Sequence, residues 1–336
     1  MEDNITNVLN AYNIDPLKIN KVTSQLYYIK DHHREYALKR SSLTEEMVKH
    51  WEAIYRYSNS KNIDAVLPVY LTKEGNLYYR REQTIFYLSP WINDTNKKMD
   101  SKWVSDFYET LAKLHWNTKR THKIDIETIS NQFVSFQNYC REMRKQLLTF
   151  IHQFEKKQYM SPFELLVCTH FRDIDQAFIE VDKRVHRFIN VFEEEKLTWS
   201  SSLCHYRLDY SHIKQTYFIN WESARYDHPV MDLILFFQNE IGRFNPSTNL
   251  YIDSFSSYTD TNELTLSELQ YFSIYLLSPT NYIQIIYEYV RGVQNKSEIQ
   301  HIKSIQHEFR KIIFGIKWSA FIEKEYETLD LDDLEV

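Results

Sequence analysis

Glycine scarcity limits this chain more than any other feature: only four glycines occur among 336 residues, at Gly75, Gly242, Gly292 and Gly315. Loops that hold phosphate through backbone N–H groups need closely spaced glycines, because a Cβ atom blocks the approach and disfavours a positive φ. No two of the four lie near each other in the sequence. Glycine-rich phosphate loops of the Walker and Rossmann types are therefore excluded, and only other modes of nucleotide binding stay open.

The rest of the composition is ordinary for a folded protein and argues against two kinds of partner. Hydrophobic residues make up 43% of the chain and charged residues 26%, which suffices to bury a core. No run of about 18 uncharged apolar residues occurs, so we expect no membrane insertion. The net charge is −6 and the basic residues are scattered, so we expect no nucleic-acid partner.

The cysteine pattern bears on metal binding and on the compartment. The three cysteines, Cys140, Cys168 and Cys204, form no CxxC pair. This spacing argues against a structural zinc site, and we expect no metal site. A sparse, odd set of cysteines is typical of a reducing compartment. We accordingly expect synthesis in the cytoplasm.

The order of hydrophobic patterns divides the chain into two lobes and a tail. A short helical stripe over 4–12 is followed by strand patterns, and then by a helix with hydroxyl caps that begins near Ser41 and runs to about residue 58. Predicted strands of this first part lie at 25–29, 36–39, 67–71, 77–80 and 84–88. From Asp100 onward the pattern is helical, except for a strand–loop–strand unit over 203–221. We therefore predict an α+β, two-lobed, protein-kinase-like fold, with a β-rich N-terminal lobe over 1–92, a helical C-terminal lobe over 93–325 and an acidic tail over 326–336.

Six short segments support this layout, because they occur in the same order in a known superfamily. They read Tyr-Ala-Leu-Lys at 36–39, Tyr-Leu-Ser-Pro-Trp-Ile at 87–92, Leu-Ala-Lys-Leu-His at 111–115, Leu-Cys-His at 203–205, Phe-Ile-Asn-Trp-Glu at 218–222 and Asp-His-Pro-Val-Met-Asp-Leu at 227–233. From about residue 19 to about residue 322, the chain resembles the aminoglycoside phosphotransferase and choline kinase branch of kinase-like proteins. It resembles the CotS group of spore coat proteins more closely still.

The resemblance also shows where the chemistry departs from active relatives, whose catalytic loop reads His-Gly-Asp-x-His-x-x-Asn. The position of the catalytic base holds Arg207, whose guanidinium stays protonated and cannot accept a proton. The magnesium-binding amide is replaced by His212, a poor ligand for a hard cation, and the second magnesium carboxylate by Asn220, which carries no charge. Loss of the base alone typically costs about 10²–10⁴ in rate. The resemblance therefore implies a pseudokinase with no expected catalytic residue and no expected cofactor.

Lys39 is the one catalytic-type residue that the chain retains. The resemblance implies that it holds nucleotide phosphates and pairs with a carboxylate of the next helix, either Glu46 or Glu52. Periodicity does not choose between these two. The alternative is that Lys39 is an ordinary lysine on the surface of a strand.

Four further residues complete the candidate ligand cleft. The resemblance implies that His205 and Asp232 hold the loop in place. Asp209 could act as a displaced base, and Glu222 could replace a metal ligand from two residues away. The alternative for both carboxylates is a hydrogen-bonded role within the loop.

Two functions follow from this resemblance. The first is a non-catalytic assembly component of the spore coat, made in the mother-cell cytoplasm and deposited on the forespore with other spore coat proteins as partners. The second is an active or ligand-binding small-molecule kinase with an atypical site, which would use Mg-ATP. The sequence leaves open the identity of the coat partners, any cleft ligand and the oligomeric state.

Overall fold

A computed structural model describes residues 2–93, 99–123, 125–194, 198–242, 248–292 and 296–327. Within these ranges the chain forms a small lobe built on a sheet and a larger helical lobe. The acidic tail predicted over 326–336 lies almost wholly outside them. None of the helices in these ranges is both long enough and apolar enough to cross a bilayer.

The N-terminal lobe is a five-stranded antiparallel sheet with two helices. Its strands are β1 (Lys18–Lys21), β2 (Leu26–Lys30), β3 (Glu35–Ser41), β4 (Tyr79–Arg81) and β5 (Thr84–Pro90), arranged in the order β1-β2-β3-β5-β4. Helix α1 (Glu2–Ala11) contributes Val8 and Leu9 to a core that includes Leu38 of β3. Helix α2 (Glu45–Lys61) begins after Thr44, whose hydroxyl accepts the N–H of Met47, as expected for a helix N-cap.

The C-terminal lobe is mainly helical. Its helices are α3 (Ser101–Thr118), α4 (Ile126–Glu155), α5 (Pro162–Glu194), α6 (Val230–Glu240), α7 (Thr248–Asp253), α8 (Ser256–Thr259), α9 (Leu266–Leu277), α10 (Thr280–Val290) and α11 (Glu298–Ile322). The short strands are β6 (Arg120–Lys123), β7 (Thr198–Cys204), β8 (Ile213–Lys214), β9 (Tyr217–Phe218) and β10 (Arg225–Asp227). Strands β10, β7 and β6 form one small sheet, and β8 and β9 form a hairpin. The strand–loop–strand unit predicted over 203–221 corresponds to the end of β7, the loop that follows it, and the β8–β9 hairpin.

The predicted fold class is confirmed, but the strand predicted at 67–71 is wrong. Pro68 interrupts this segment, and a proline has no N–H to contribute to a sheet. The Tyr70 N–H still donates to the Leu88 carbonyl at 2.7 Å, and Val66 forms one isolated parallel bridge with Phe218. The segment is therefore a connection that lies along the sheet without becoming a strand of it.

The two lobes share part of one hydrophobic core. Trp51 and Tyr87 of the N-terminal lobe belong to the same buried cluster as Phe218 and Trp221 of the C-terminal lobe. The Phe218 N–H also donates to the Ala65 carbonyl at 2.7 Å. The segment after α2 is therefore bonded to the strand that leads into Asn220 and Glu222.

Candidate functional site

Lys39 lies in a polar network that joins the two lobes. The register of β3 with β5 sets Lys39 opposite Tyr87. The Lys39 ammonium is 2.6 Å from a carboxylate oxygen of Glu222 and donates to the amide oxygen of Asn220, also at 2.6 Å. The Tyr87 hydroxyl donates to the same Glu222 oxygen at 2.9 Å. The charge of Lys39 is therefore balanced from within the protein.

The prediction that Lys39 pairs with Glu46 or Glu52 is wrong. The buried face of α2 carries Trp51 and Tyr55 among its residues. Glu46 is exposed. Glu52 is 2.6 Å from Arg56, one helical turn further along α2. Glu222 takes the place that the resemblance assigned to a helix carboxylate.

The ionisation of the Lys39–Glu222 pair follows from its burial and its partners. Only 17% of the Lys39 side chain and 16% of the Glu222 side chain are exposed. Burial lowers the pKa of Lys39, although the Glu222 charge opposes this effect. Burial alone would raise the pKa of Glu222, but the Lys39 charge and the hydrogen bonds from Lys39 and Tyr87 outweigh it and lower the pKa. Glu222 is therefore a carboxylate at neutral pH, and its contact with Lys39 is an ion pair.

Asp232 and His205 fix the start of the loop after β7. The backbone N–H groups of His205 and Tyr206 each donate to one carboxylate oxygen of Asp232 at 2.7 Å. The Nε2 of His205 lies 2.7 Å from the carbonyl oxygen of Ile219, at the far side of the loop. His205 and Asp232 are both fully buried. These contacts hold the loop against α6 and against the residue that follows β9.

A buried cluster behind the loop contains residue types that also bind metals. Ligand atoms of His115, Cys204 and Asp232 lie within 4.8 Å of one another. The Nε2 of His115 is 3.3 Å from Asp232, and its Nδ1 is 2.8 Å from the hydroxyl of Tyr258. The oxygens of Asp232 also accept the two backbone N–H groups described above. The cluster is therefore a hydrogen-bonded anchor for the loop.

Tyr206 occupies the glycine position of the active-loop pattern, and its backbone keeps a conformation that favours glycine. Its φ is 63°, a left-handed value that costs a residue such as tyrosine about 1–3 kcal/mol. The Arg225 guanidinium lies 3.2 Å from the centroid of the Tyr206 ring. Arg225 also lies 3.3 Å from the carboxylate of Asp227. Stacking on Arg225 therefore holds a side chain whose backbone is strained.

The loop after β7 carries three more of the candidate residues, and their side chains differ in their hydrogen bonds: Arg207, Asp209 and His212. Arg207 is exposed, and its guanidinium has no hydrogen-bond or ion-pair partner among the described residues. Its carbonyl oxygen is 2.7 Å from the Nδ1 of His212. The Asp209 carboxylate accepts the N–H and the hydroxyl of Ser211 at 2.8 and 2.6 Å and the N–H of His212 at 3.2 Å. Asp209 therefore serves as the cap of a short 3-10 helix at Tyr210–His212.

This arrangement is a poor fit to a magnesium nucleotide. The amide oxygen of Asn220 accepts a hydrogen bond from Lys39, and Glu222 is already paired with the same ammonium. Arg207 adds a positive charge beside them, whereas Mg²⁺ prefers oxygens with a negative charge. No step of phosphoryl transfer is therefore assigned to these residues.

Sequence reasoning did not single out Tyr87 as part of the site. Its hydroxyl binds Glu222, and its position opposite Lys39 follows from the pairing of β3 with β5. Side chains directly opposite each other on paired strands lie on the same face of a sheet. The pairing of these two strands would have been enough to place Tyr87 beside Lys39.

With the two lobes and the loop after β7 described, the chain can be assigned a protein-kinase-like fold. The chain is similar to an aminoglycoside phosphotransferase from Alicyclobacillus acidocaldarius subsp. acidocaldarius DSM 446, with 16% identity, a TM-score of 0.72 and coverage of 96% of each chain. It is also similar to the spectinomycin phosphotransferase APH(9)-Ia in complex with ADP and spectinomycin, with 13% identity, a TM-score of 0.54 and coverage of 94% and 98%. A microcompartment-associated aminopropanol kinase gives 9% identity, a TM-score of 0.54 and coverage of 95% and 98%.

Sequence comparisons add nothing to this structural likeness. No protein-family model matches the chain, and no curated protein matches it. At these low identities the structural neighbours establish the fold alone.

Proposed function

We propose that this protein is a non-catalytic member of the kinase-like fold that serves as an assembly component of the spore coat. Two observations carry the non-catalytic part: the cation Arg207 stands where a proton acceptor is needed, and Asn220, at a magnesium position, accepts a hydrogen bond from Lys39 at 2.6 Å. The spore coat part rests on the resemblance of the six sequence segments to the CotS group. Under this proposal the protein is made in the mother-cell cytoplasm, and its partners are other spore coat proteins.

The physical argument concerns what a bound magnesium nucleotide would have to displace. The Lys39 ammonium is largely shielded from water and is bonded to both Glu222 and Asn220. A magnesium ion would need the Asn220 oxygen, which accepts from the same ammonium. Proton transfer would need an acceptor where Arg207 stands, and a guanidinium is not one. Two requirements for phosphoryl transfer, metal binding and proton transfer, therefore meet an opposing contact or charge.

The proposed absence of catalysis is tested by measuring ATP turnover with Mg²⁺ and a panel of amino-alcohol and aminoglycoside acceptors. We expect no turnover above that of a blank without protein. Turnover that disappears in Asp209→Asn or in Glu222→Gln would overturn the proposal, because it would make one of these carboxylates part of a working site. Thermal unfolding of each variant checks that any loss is not caused by unfolding.

The spore coat part is tested by following a fluorescent fusion of the full chain through sporulation. We expect fluorescence in the mother cell that gathers as a shell around the forespore and stays with purified spores. The fluorescent protein alone serves as the control and should remain diffuse. A fusion that also remains diffuse, while the protein stays intact, would contradict the proposed location.

An active or ligand-binding small-molecule kinase is the second candidate. The specific observation in its favour is that the solved structures with the same fold are described as phosphotransferases and as a kinase. This candidate predicts that Mg-ATP raises the melting temperature, that EDTA removes the effect, and that Lys39→Ala abolishes it. A shift with all three properties would favour this candidate over the first.

A further inference from the structure

The outer strand of the small C-terminal sheet has an open edge. The strands of this sheet lie in the order β10-β7-β6, and β6 pairs with β7 from Arg120 opposite Ser201 to Lys123 opposite Thr198. Within the described ranges, no strand pairs with the other edge of β6. All four β6 residues are exposed. Such an edge presents backbone N–H and C=O groups to which a further extended segment can add.

This open edge is also basic. The chain reads Lys-Arg-Thr-His-Lys from Lys119 to Lys123 and includes no acid there. The Lys119 ammonium donates to the amide oxygen of Asn262 at 3.4 Å, and the Arg120 guanidinium lies 3.7 Å from the centroid of the Tyr226 ring. Both partners are neutral. Among the described residues, no carboxylate forms an ion pair with Lys119, Arg120 or Lys123.

The segment that follows the described residues has the opposite charge. Residues 328–336 read Thr-Leu-Asp-Leu-Asp-Asp-Leu-Glu-Val, with four acids and no base. Apolar and acidic residues alternate over 329–332 and again over 333–336, which is the period of a β-strand. Each of these stretches is as long as β6, which has four residues. Opposite charges on adjacent strands stabilise their pairing.

The last described residue, Glu327, is anchored close to this sheet. The Gln270 amide of α9 donates to the Glu327 carboxylate at 2.8 Å. Two residues earlier on α9, Glu268 accepts the hydroxyl of Ser200 at 2.6 Å, and Ser200 lies opposite Thr121 of β6. Glu327 is thus linked to β6 through two side-chain contacts and one pair of strands. Because nine extended residues span about 30 Å, the segment beyond Glu327 can reach β6 of its own molecule.

We propose that residues 328–336 bind along the outer edge of β6 in the same molecule, as a fourth strand of the small sheet. Backbone hydrogen bonds would hold the segment, and its acids would offset the cations of 119–123. The other open basic edge, β1 with Lys18 and Lys21, belongs to the N-terminal lobe, whereas Glu327 is held by α9 of the C-terminal lobe. The same contact would form whether or not the protein belongs to a spore coat, so it goes beyond the proposed function.

A covered edge would also limit what can pair with the sheet. An open edge strand can pair with a strand of a second copy of the chain, and a segment already bound to β6 excludes that pairing. High salt should release the segment, because exposed charges are screened over about 8 Å at physiological ionic strength.

The experiment is hydrogen–deuterium exchange of the full-length protein at low salt, followed by mass spectrometry. A synthetic peptide of residues 328–336 gives the exchange rate of the unbound segment. We expect the amides of this segment to exchange about tenfold more slowly in the protein than in the peptide. Lys123→Gln should remove most of this protection, because the exposed Lys123 is one of the cations that face the segment. Lys18→Gln in β1 is the matched control and should leave the protection unchanged.

A tail variant gives the reciprocal measurement on β6. Neutralising the four acids should speed exchange in β6 and leave exchange in β1 unchanged; the substitutions are Asp330→Asn, Asp332→Asn, Asp333→Asn and Glu335→Gln. Exchange of the segment at the peptide's rate, equal losses in Lys123→Gln and Lys18→Gln, or unchanged exchange of β6 in the tail variant would each overturn the proposal. Protection that rises with protein concentration would also overturn it, because the segment would then be bound to a second molecule.

Discussion

The ion pair between Lys39 and Glu222 gives the sharpest quantitative prediction. About one sixth of each side chain is exposed, with values of 17% and 16%, and the nitrogen–oxygen distance is 2.6 Å. Removing one partner of a buried pair typically costs about 3–5 kcal/mol, because the other charge is left without compensation. The pair is partly exposed, Tyr87 donates a hydrogen bond to Glu222, and Asn220 accepts one from Lys39. These features place the expected loss near the lower limit, at about 3 kcal/mol.

A double-mutant cycle measures this coupling directly. We expect Lys39→Met and Glu222→Gln each to lower the free energy of unfolding by about 3 kcal/mol, and the double variant to lose little more than either single one. The coupling energy should then be about 2 kcal/mol or more. Urea unfolding in EDTA, followed by both tryptophan fluorescence and circular dichroism, gives these values if the two transitions coincide.

The exposed pair of Arg56 with Glu52 on α2 provides the matched control. Its nitrogen–oxygen distance is also 2.6 Å, but 61% of the Arg56 side chain is exposed. Exposed pairs on one helix contribute only about 0.3–0.5 kcal/mol, so an Arg56→Met and Glu52→Gln cycle should show little coupling. If the Lys39–Glu222 coupling is no larger than this control, the argument that the cleft lysine is neutralised from within would be refuted.

Three other predictions concern the surrounding scaffold. A Cβ atom on Gly315 would lie 2.4 Å from the backbone oxygen of Leu276, so Gly315→Ala should lower the free energy of unfolding by about 1–3 kcal/mol in urea. Burial would raise the pKa of Glu268, but the hydrogen bond and charge of His228 help to lower it from 4.5 to about 2. The ionised carboxylate therefore stabilises the fold above pH 4.5, and this stabilisation is lost as the pH falls toward 2. In Glu268→Gln the free energy of unfolding should depend less on pH between these two values. Arg184 is fully buried between carboxylates of α5 and of the C-terminal segment, so Arg184→Leu should lower the melting temperature by several degrees, as calorimetry would show.

The layout of lobes and helices was predictable because its signals are local. The start of α9 shows such a signal: Thr265 and Glu268, three residues apart, form a capping box there. Strand β6 was not predicted, since all of its residues, Arg120–Lys123, are exposed and show no alternation. Its strand character comes from pairing with β7, which lies far along the chain.

The candidate site was predictable in position but not in its contacts. The six segments located Lys39 and Glu222, yet their pairing joins residues far apart in sequence. The helical stripe of Val48, Trp51 and Tyr55 indicated which face of α2 is buried, but Glu52 lies four residues after Val48 and three before Tyr55, at the border of that stripe. Periodicity therefore could not reject Glu52, and only the packed structure pairs Glu52 with Arg56 and identifies Glu222 as the carboxylate beside Lys39.

The hydrogen bonds between the N-terminal lobe and the region around β9 limit how far the two lobes can move apart. The Phe218 N–H bonds to Ala65, the Leu67 N–H approaches the Phe218 carbonyl at 3.4 Å, and a ring nitrogen of His50 lies 2.8 Å from the Ala224 carbonyl. If the two lobes moved apart by bending near Trp91, these hydrogen bonds would have to break. The buried aromatic side chains of the shared core would then be exposed to water. We therefore expect the two lobes to separate only rarely. The Phe218 amide hydrogen should exchange with deuterium almost as slowly as the most deeply buried amides of the helical lobe.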